Sequence, residues 1–332
     1  MDRYLRQSVL PWIGQGGQDK LRKSAVLVVG CGGTGCACSS FLARAGIGHL
    51  RIVDQDVVGL TDLHRQVLFD QVHAMGLHFK VRVAARRLAE ANPEIEIEPL
   101  VQEFNPGTAE SLIGQMDVIA DCSDNFETRL LLNEVADKHS KPWIHGACLG
   151  EVGIVIPFPQ PEIACYRCLM DHIPNSKSVP GSEEVGILGP VAGMVGCLEA
   201  VEAIKMLVVP DRSVQKIILL DTLSCRFQTL DVKRKIDCPV CVQGSYELLN
   251  NYREFEIKRG YESGVIHINL GRQLDLERIK KDRASSFAME DLGGILRIEG
   301  EGKAAVVFEN GRAIVRGVAD ADQARDFLTG LF

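Results

Sequence analysis

Along the first half of the chain, apolar residues fall into short runs separated by glycine-rich or polar stretches. Ala25 to Val29 is apolar throughout, which predicts a strand buried on both faces of a parallel sheet. Leu50 to Val53, Ile95 to Leu100 and Asp117 to Asp121 give further strand signals. Lys80 to Ala91 places Val81, Ala84, Ala85 and Leu88 on one helical face, and a second helical stretch precedes Asp117. Strand alternating with helix predicts an α/β fold, Rossmann-like and doubly wound around a mainly parallel sheet.

From about Ser245 the pattern changes and charge increases. Gly264 to Asn269, Gly294 to Ile298 and Ala304 to Phe308 read as strands, and Asp275 to Lys281 as a helix. Asn310-Gly311 is a hairpin turn leading to Ala313-Ile314-Val315. Asp320 to Leu331 closes the chain as a helix with Ala321, Ala324, Phe327 and Leu328 on one face. We expect one domain over residues 1–244 and a small α+β appendage, of ferredoxin-like type, over 245–332. The appendage lacks the cysteine-bearing loop of a rhodanese domain, and its pattern names no activity.

Chemistry enters between the first two strands. Gly30, Gly32, Gly33 and Gly35 follow the first strand, a segment of small residues comes next, and the second strand delivers Asp54. This is the order of a dinucleotide-fold fingerprint. Side chains at Gly30 or Gly32 would obstruct the tight turn and the approach of a phosphate, and one at Gly35 would hold the helix off the sheet. The helix N-terminus offers unpaired N–H groups to an anion, and Asp54 can accept a ribose hydroxyl. Ala25 to Ala43 carries no charge, yet its glycines, hydroxyl residues and strand–turn–helix order argue against a membrane span. Asp121, Asp124 and Asn125 sit at the end of the fourth predicted strand. Ligands of open parallel sheets bind beyond the carboxyl ends of strands, so Asp54 and Asp124 both face the expected phosphate. The turn alone does not say which nucleotide.

Composition narrows the setting. A net charge of −7 over 332 residues argues against a nucleic-acid-binding surface. Met1 to Arg6 shows no apolar signal core, and eleven cysteines, an odd number, suit a reducing cytoplasm better than a disulfide framework. Cys165-x-x-Cys168 and Cys238-x-x-Cys241 can each supply two thiolates to a tetrahedral zinc. All-sulfur ligation leaves no open position, so such a metal is structural. The alternative is two unrelated pairs of buried thiols.

Taken together, the motifs resemble the ThiF, MoeB and HesA group of ubiquitin-activating-like adenylyltransferases. The resemblance rests on R-Y-x-R-Q from Arg3, G-x-G-G-x-G from Gly30, D-x-D from Asp54 and L-H-R-Q from Leu63. It continues with D-x-x-D-N-F-x-x-R from Asp121, Asn133, C-Y-R-C from Cys165, G-I-L-G-P from Gly186, E-A-I-K-M from Glu202 and C-P-V-C from Cys238. It spans about residues 3 to 243.

The resemblance implies ATP-dependent adenylation of a carboxylate, the C-terminal glycine of a ubiquitin-like sulfur carrier ending in Gly-Gly being the expected substrate. It gives Asp54 the ribose, Arg65 and Lys80 the phosphates and Asp124 a Mg²⁺ ion, with Asp56, Asp62, Gln66 and Asn125 lining the nucleotide site. Arg6 would cross into the partner's site of a homodimer. No nucleic acid or membrane partner is expected. Four positions depart from the family pattern. Asp62 replaces a common asparagine, and Gly76-Leu77-His78-Phe79-Lys80 keeps only the second lysine of the usual G-K-x-K. Ser182 occupies the position of a thioester- or persulfide-forming cysteine, and Ile154 that of a frequent glutamine. Two other classes remain at this stage: a nicotinamide-dependent dehydrogenase, which does not explain Arg65, Lys80 and the cysteine pairs, and a nucleotide-binding scaffold that has lost turnover.

Overall fold

The computed structural model describes residues 2–159, 163–170, 182–250, 261–262, 265–269, 273–283, 287–292, 294–300, 302–309 and 311–331. The chain forms two compact units, Met1–Tyr252 and Arg253–Phe332. In the first, the expected strands are β1 (Ala25–Val29), β2 (His49–Val53), β3 (Glu96–Leu100) and β4 (Val118–Asp121). They are joined by β5 (Trp143–Leu149), β6 (Val152–Phe158), β7 (Lys216–Asp221) and β8 (Arg226–Asp231), in the order β3-β2-β1-β4-β5-β6-β7-β8. β3 to β5 run parallel, and β6, β7 and β8 add an antiparallel extension.

Alternation along β1 divides the interior. Val26 and Val28 join the apolar cluster that contains Leu42, Val81 and Leu88, whereas Leu27 and Val29 join the one that contains Leu131, Val135 and Trp143. Helices therefore cover both faces, as the sequence predicts for a doubly wound sheet. The helix Gly33–Ala45 packs on Gly189–Val208, a long helix the periodicity does not reveal. Apolar and small residues surround that helix with no clear polar face, so it lacks an amphipathic stripe. At its contact a side chain on Gly196 would collide with the Thr34 carbonyl oxygen.

The second unit is a six-stranded antiparallel sheet. Its strands are β9 (Tyr261–Glu262), β10 (Val265–Asn269), β11 (Ala288–Asp291), β12 (Ile295–Gly300), β13 (Lys303–Phe308) and β14 (Arg312–Arg316). The order is β11-β12-β13-β14-β10-β9. Leu296, Ile298, Val307 and Val315 pack with Ala324, Phe327 and Leu328 of the helix Ala321–Thr329. The β13–β14 hairpin falls at the expected turn, of which Asn310 lies outside the described residues. The ferredoxin-like expectation is corrected. β11 to β14 form a continuous meander in which neighbours in sequence are neighbours in space, whereas a ferredoxin-like sheet needs two helical crossovers.

Crowding at the first turn gives a stability test. A Cβ on Gly35 would collide with the Gly30 carbonyl oxygen, while one on the exposed Gly16 meets nothing within 4 Å. Gly35→Ala should lose about 2 kcal/mol or more through overpacking. Gly16→Ala, inside the helix Gly14–Lys23, should be neutral or gain up to about 1 kcal/mol. Urea denaturation of both variants measures the difference.

Candidate active site

β1 and β4 are neighbours, β2 and β3 continue the sheet on one side, and β5 continues it on the other. The carboxyl ends of β1, β2 and β4 therefore frame a topological switch point, where open α/β sheets bind ligands. Gly30 leaves β1 at φ 94°, and a Cβ there would stand 2.6 Å from the Cys122 carbonyl oxygen just beyond β4. A side chain on Gly33 would crowd Ala192, so this glycine serves helix packing. Gly32 differs, because the nearest atom to a Cβ there is Gln66 Nε2 at 4.0 Å. It is the N-cap of Gly33–Ala45, and no side chain caps that end. The first helical N–H groups are thus left for an anion.

Asp54 closes the turn. Its Oδ2 accepts the Cys31 N–H at 2.7 Å and its Oδ1 the Asp56 N–H at 2.7 Å. Burial pushes its carboxyl up to about 6, with Asp56 adding to the rise and Lys80 opposing it. Each oxygen keeps a second lone pair, so latching the turn and accepting a hydroxyl are compatible.

Asp62 is the centre of the charged part. It is fully buried, and its Oδ1 accepts from Arg65 Nη2 at 2.9 Å and from Gln66 Nε2 at 2.6 Å. Its Oδ2 accepts the Gly59 N–H at 3.0 Å and lies 3.3 Å from Lys80 Nζ. Lys80, 4 % exposed, also stands 3.9 Å from Asp56 Oδ2. Arg65 Nη1 donates to the Thr61 carbonyl at 2.7 Å. Gln66 Oε1 is buried without a hydrogen-bond partner. The expected residues Asp54, Asp56, Asp62, Arg65, Gln66 and Lys80 thus gather beside the glycine turn.

Asp124 and Asn125 lie on the same edge of the sheet, beyond β4. Asp124 is exposed and takes a long 3.4 Å hydrogen bond from Asn125 Nδ2. Asn125 Oδ1 accepts the Thr128 N–H at 2.8 Å, which makes it the N-cap of the helix Phe126–Lys138. Arg6 stands apart, exposed on the short helix Leu5–Ser8. Its neighbours do not form a solvated arm. Tyr4 is buried and accepts from Asn92 Nδ2 at 2.8 Å, and Gln7 Nε2 donates to the Ala45 carbonyl at 3.0 Å.

The four paired cysteines converge. Their sulfur atoms all lie within 4.8 Å of one another, with 4.0 Å between Cys165 and Cys168, 3.6 Å between Cys165 and Cys238, and 3.5 Å between Cys168 and Cys241. A tetrahedron of sulfurs at about 2.3 Å from a zinc ion has edges of about 3.8 Å, so the donor set fits that metal. The Cys168 thiol is held well below its ordinary value, first by the Cys165 thiol and then by hydrogen bonds that include the Lys235 N–H.

A profile of the ThiF family matches residues 4–240. The chain belongs to this family. It is 38% identical over 256 residues to the adenylyltransferase and sulfurtransferase MOCS3 of Xenopus laevis, covering 76% of this chain and 56% of that protein. It is 34% identical over 257 residues to the SAMP-activating enzyme E1 of Haloferax volcanii, covering 76% of this chain and 92% of that protein. With the sulfur carrier protein adenylyltransferase of Thermus thermophilus it shares 36% identity over 247 residues, covering 73% and 90%. The chain spans about half the length of the MOCS3 relatives it matches. Among solved structures, Escherichia coli MccB with ATP shares the fold, with a TM-score of 0.63 at 23% identity over 72% of this chain and 74% of that chain.

Within the ThiF family fold the departures acquire places. Asp62 is neither solvent-facing nor free, because its oxygens are taken by Arg65, Gln66, Gly59 and Lys80. Ile154 lies in β6 and packs on the apolar cluster that contains Leu131. Ser182 begins the short helix Ser182–Val185, and its side chain lies outside the described residues, as does all of His172. Burial pushes the Cys148 thiol up to about 11 and also raises that of Cys197. Sequence reasoning put Asp121 at its strand end but missed its partner His145, which is buried with it at 2.8 Å. A histidine inside the apolar strand run Trp143-Ile144-His145 was the available signal.

The Asp62 cluster makes a measurable claim on stability. Asp62→Asn removes a charge from a site that holds two cations, while Asp56 still faces Lys80. The nucleotide-free protein should lose about 2 kcal/mol, the scale of hydrogen bonds to charged groups. Urea denaturation checks it, and an unchanged midpoint would remove Asp62 from its central place.

Proposed function

We propose that this chain uses ATP to adenylate a carboxylate, the C-terminal glycine of a ubiquitin-like sulfur carrier ending in Gly-Gly. The observation that carries the reading is the meeting of Arg65 and Lys80 beside an uncapped helix N-terminus at the switch point of a ThiF-family sheet. The names of the relatives, adenylyltransferases and an activating E1, support the same chemistry.

In this reading a carboxylate oxygen attacks the α-phosphorus of ATP. The bond from that phosphorus to the bridging oxygen breaks, and pyrophosphate leaves with the electron pair. No covalent nucleophile is needed, so the chain's work is placement and charge neutralisation. Asp54 accepts the ribose hydroxyls, and the open N–H groups near Gly32 meet a phosphate. Arg65 and Lys80 move from Asp62 onto phosphate oxygens as charge develops there. Asp124 holds Mg²⁺ through oxygen, and that ion neutralises phosphate charge when bound. Arg6, exposed and distant from these groups, reaches the partner's site in a homodimer. Without a cysteine at position 182, the acyl adenylate is the final product of this chain acting alone. Cys165, Cys168, Cys238 and Cys241 hold one structural zinc. Eleven cysteines with no disulfide between them suit a reducing cytoplasm. One observation favours the second reading, a nucleotide-binding scaffold: Arg65 and Lys80 are already occupied by Asp62.

Pyrophosphate exchange separates the two. With a Gly-Gly-terminated carrier, the protein should exchange labelled pyrophosphate into ATP. Asp124→Ala should lower that exchange at least 100-fold with an unchanged thermal midpoint, because Asp124 is exposed and supports little of the fold. Nucleotide binding without exchange in the unaltered protein would favour the scaffold.

Zinc is tested by elemental analysis, which should find about one ion per chain. Cys238→Ser should lose the metal and lower the thermal midpoint, since structural metal binding is linked to folding. Metal-free protein with unchanged stability would end the assignment.

A further inference from the structure

A line of buried groups leads from the cysteine cluster to the turn that carries Asp124. Tyr166 lies between Cys165 and Cys168, is buried, and donates its backbone N–H to Asn133 Oδ1 at 2.8 Å. Asn133 Nδ2 in turn faces Cys165 Sγ at 3.7 Å, from the helix that Asn125 caps. The Tyr166 ring meets the His145 ring edge-on, with centroids 4.8 Å apart, and Trp143 and Phe158 flank it. His145 Nδ1 pairs with Asp121 Oδ2 at 2.8 Å, and the two side chains are 3% and 0% exposed. The other oxygen, Asp121 Oδ1, accepts the Ser123 N–H at 3.2 Å and the Ser123 hydroxyl at 2.6 Å. Ser123 O accepts Arg129 Nη2 at 3.0 Å, and Asp124 is the next residue.

The geometry decides what these groups do. Asp121 and His145 are too buried to touch a nucleotide, and the chemistry above uses neither. A buried carboxylate persists only if its oxygens are satisfied. Here His145 fills one and Ser123 the other, so the carboxylate folds the chain back on itself just before Asp124. The carboxylate partner fixes the proton of His145 on Nδ1. Packing of Tyr166 then fixes the ring, and the cysteine knuckle fixes Tyr166.

We propose that Asp121, His145 and Tyr166 are positioning residues that make the placement of Asp124 depend on the metal-holding knuckle. The proposal rests on the reading of Asp124 as the Mg²⁺ contact, while its structural half can be tested without ATP. His145→Phe keeps a ring against Tyr166 and removes the donor to Asp121. His145→Gln restores a donor. Three quantities are measured for both variants: zinc content, amide hydrogen exchange at Ser123 to Asn125, and the Mg²⁺ concentration for half-maximal pyrophosphate exchange.

His145→Phe should keep its zinc, exchange those amides at least tenfold faster, and need at least tenfold more Mg²⁺. Its rate at saturating Mg²⁺ should stay within about threefold. A merely structural loss would lower the rate at every Mg²⁺ concentration and leave the requirement unmoved. His145→Gln should return both values toward the unaltered protein. If His145→Phe does not fold, Tyr166→Leu is read in the same way. Unchanged amide exchange at Ser123 to Asn125 would overturn the proposal. Loosened amides in a protein whose unaltered form shows no pyrophosphate exchange would instead keep the relay and sink the adenylation reading.

Discussion

Gly30 and Gly35 bring backbone against backbone, and the geometry of the site follows from that contact. With no Cβ on Gly30, the end of β1 lies directly against the Cys122 carbonyl beyond β4. With none on Gly35, the first turn of the following helix closes over the Gly30 carbonyl. Asp54 then fastens the turn from β2 by accepting the Cys31 N–H. Three strand ends are thereby drawn onto one edge, with an uncapped helix start among them. Backbone crowding of this kind admits little adjustment, because interiors pack as densely as organic crystals. The glycine turn and Asp54 are therefore held firmly in place.

Charge is the second constraint. Asp54, Asp56 and Asp62 face Arg65 and Lys80 within a small, largely buried space. At an effective dielectric near 20, opposite charges 3 to 4 Å apart attract by about 4–6 kcal/mol before desolvation is subtracted. The two cations are neutralised by the protein's own carboxylates. A triphosphate entering the site must therefore exchange partners with Asp62, or arrive with cations of its own. In the ThiF family pattern the common asparagine at this place leaves the two cations without that internal anion. The chain with Asp62 starts from a lower positive potential.

The legible parts of the sequence were those where one rule acted alone. β1 and most of β4 are short apolar runs because both sheet faces are covered, and the glycine turn follows from backbone clearance. Gly189–Val208 escaped because a helix buried on most sides has no stripe. β6 and β8 escaped because each follows its neighbour directly as an antiparallel hairpin, without the helix that marks a parallel crossover. In the second unit β10, β12, β13 and β14 were readable, β9 and β11 were not, and pairing order depends on long-range contacts that no local pattern encodes. Site residues divide in the same way. Arg65, Lys80 and Asp62 gather where spacing and resemblance put them, but that Asp62 occupies both cations needed coordinates. Asn125 carries a capping role that its place just before a helix could have suggested.

The cysteine cluster answers a need that the same sheet creates. β8 is exposed along its whole length, with Phe227 and Leu230 largely in solvent, and pairs with β7 at the edge of the sheet. An edge strand without buried side chains gains little from the hydrophobic effect and leaves unpaired backbone groups on one side. Beyond it the chain reaches Cys238 and Cys241, while Cys165 and Cys168 follow β6, so the cluster joins the segments after two strands that flank β7. Around the sulfurs the buried apolar side chains are few, chiefly Ala164 and Val240. A metal held by the four thiols would supply binding energy that so small a core lacks. The Tyr166 backbone N–H on Asn133 and the Tyr246 hydroxyl on Asp137 then join this clasp to the helix Phe126–Lys138. The free edge of the sheet is thereby tied to the element whose N-terminus stands at the candidate site.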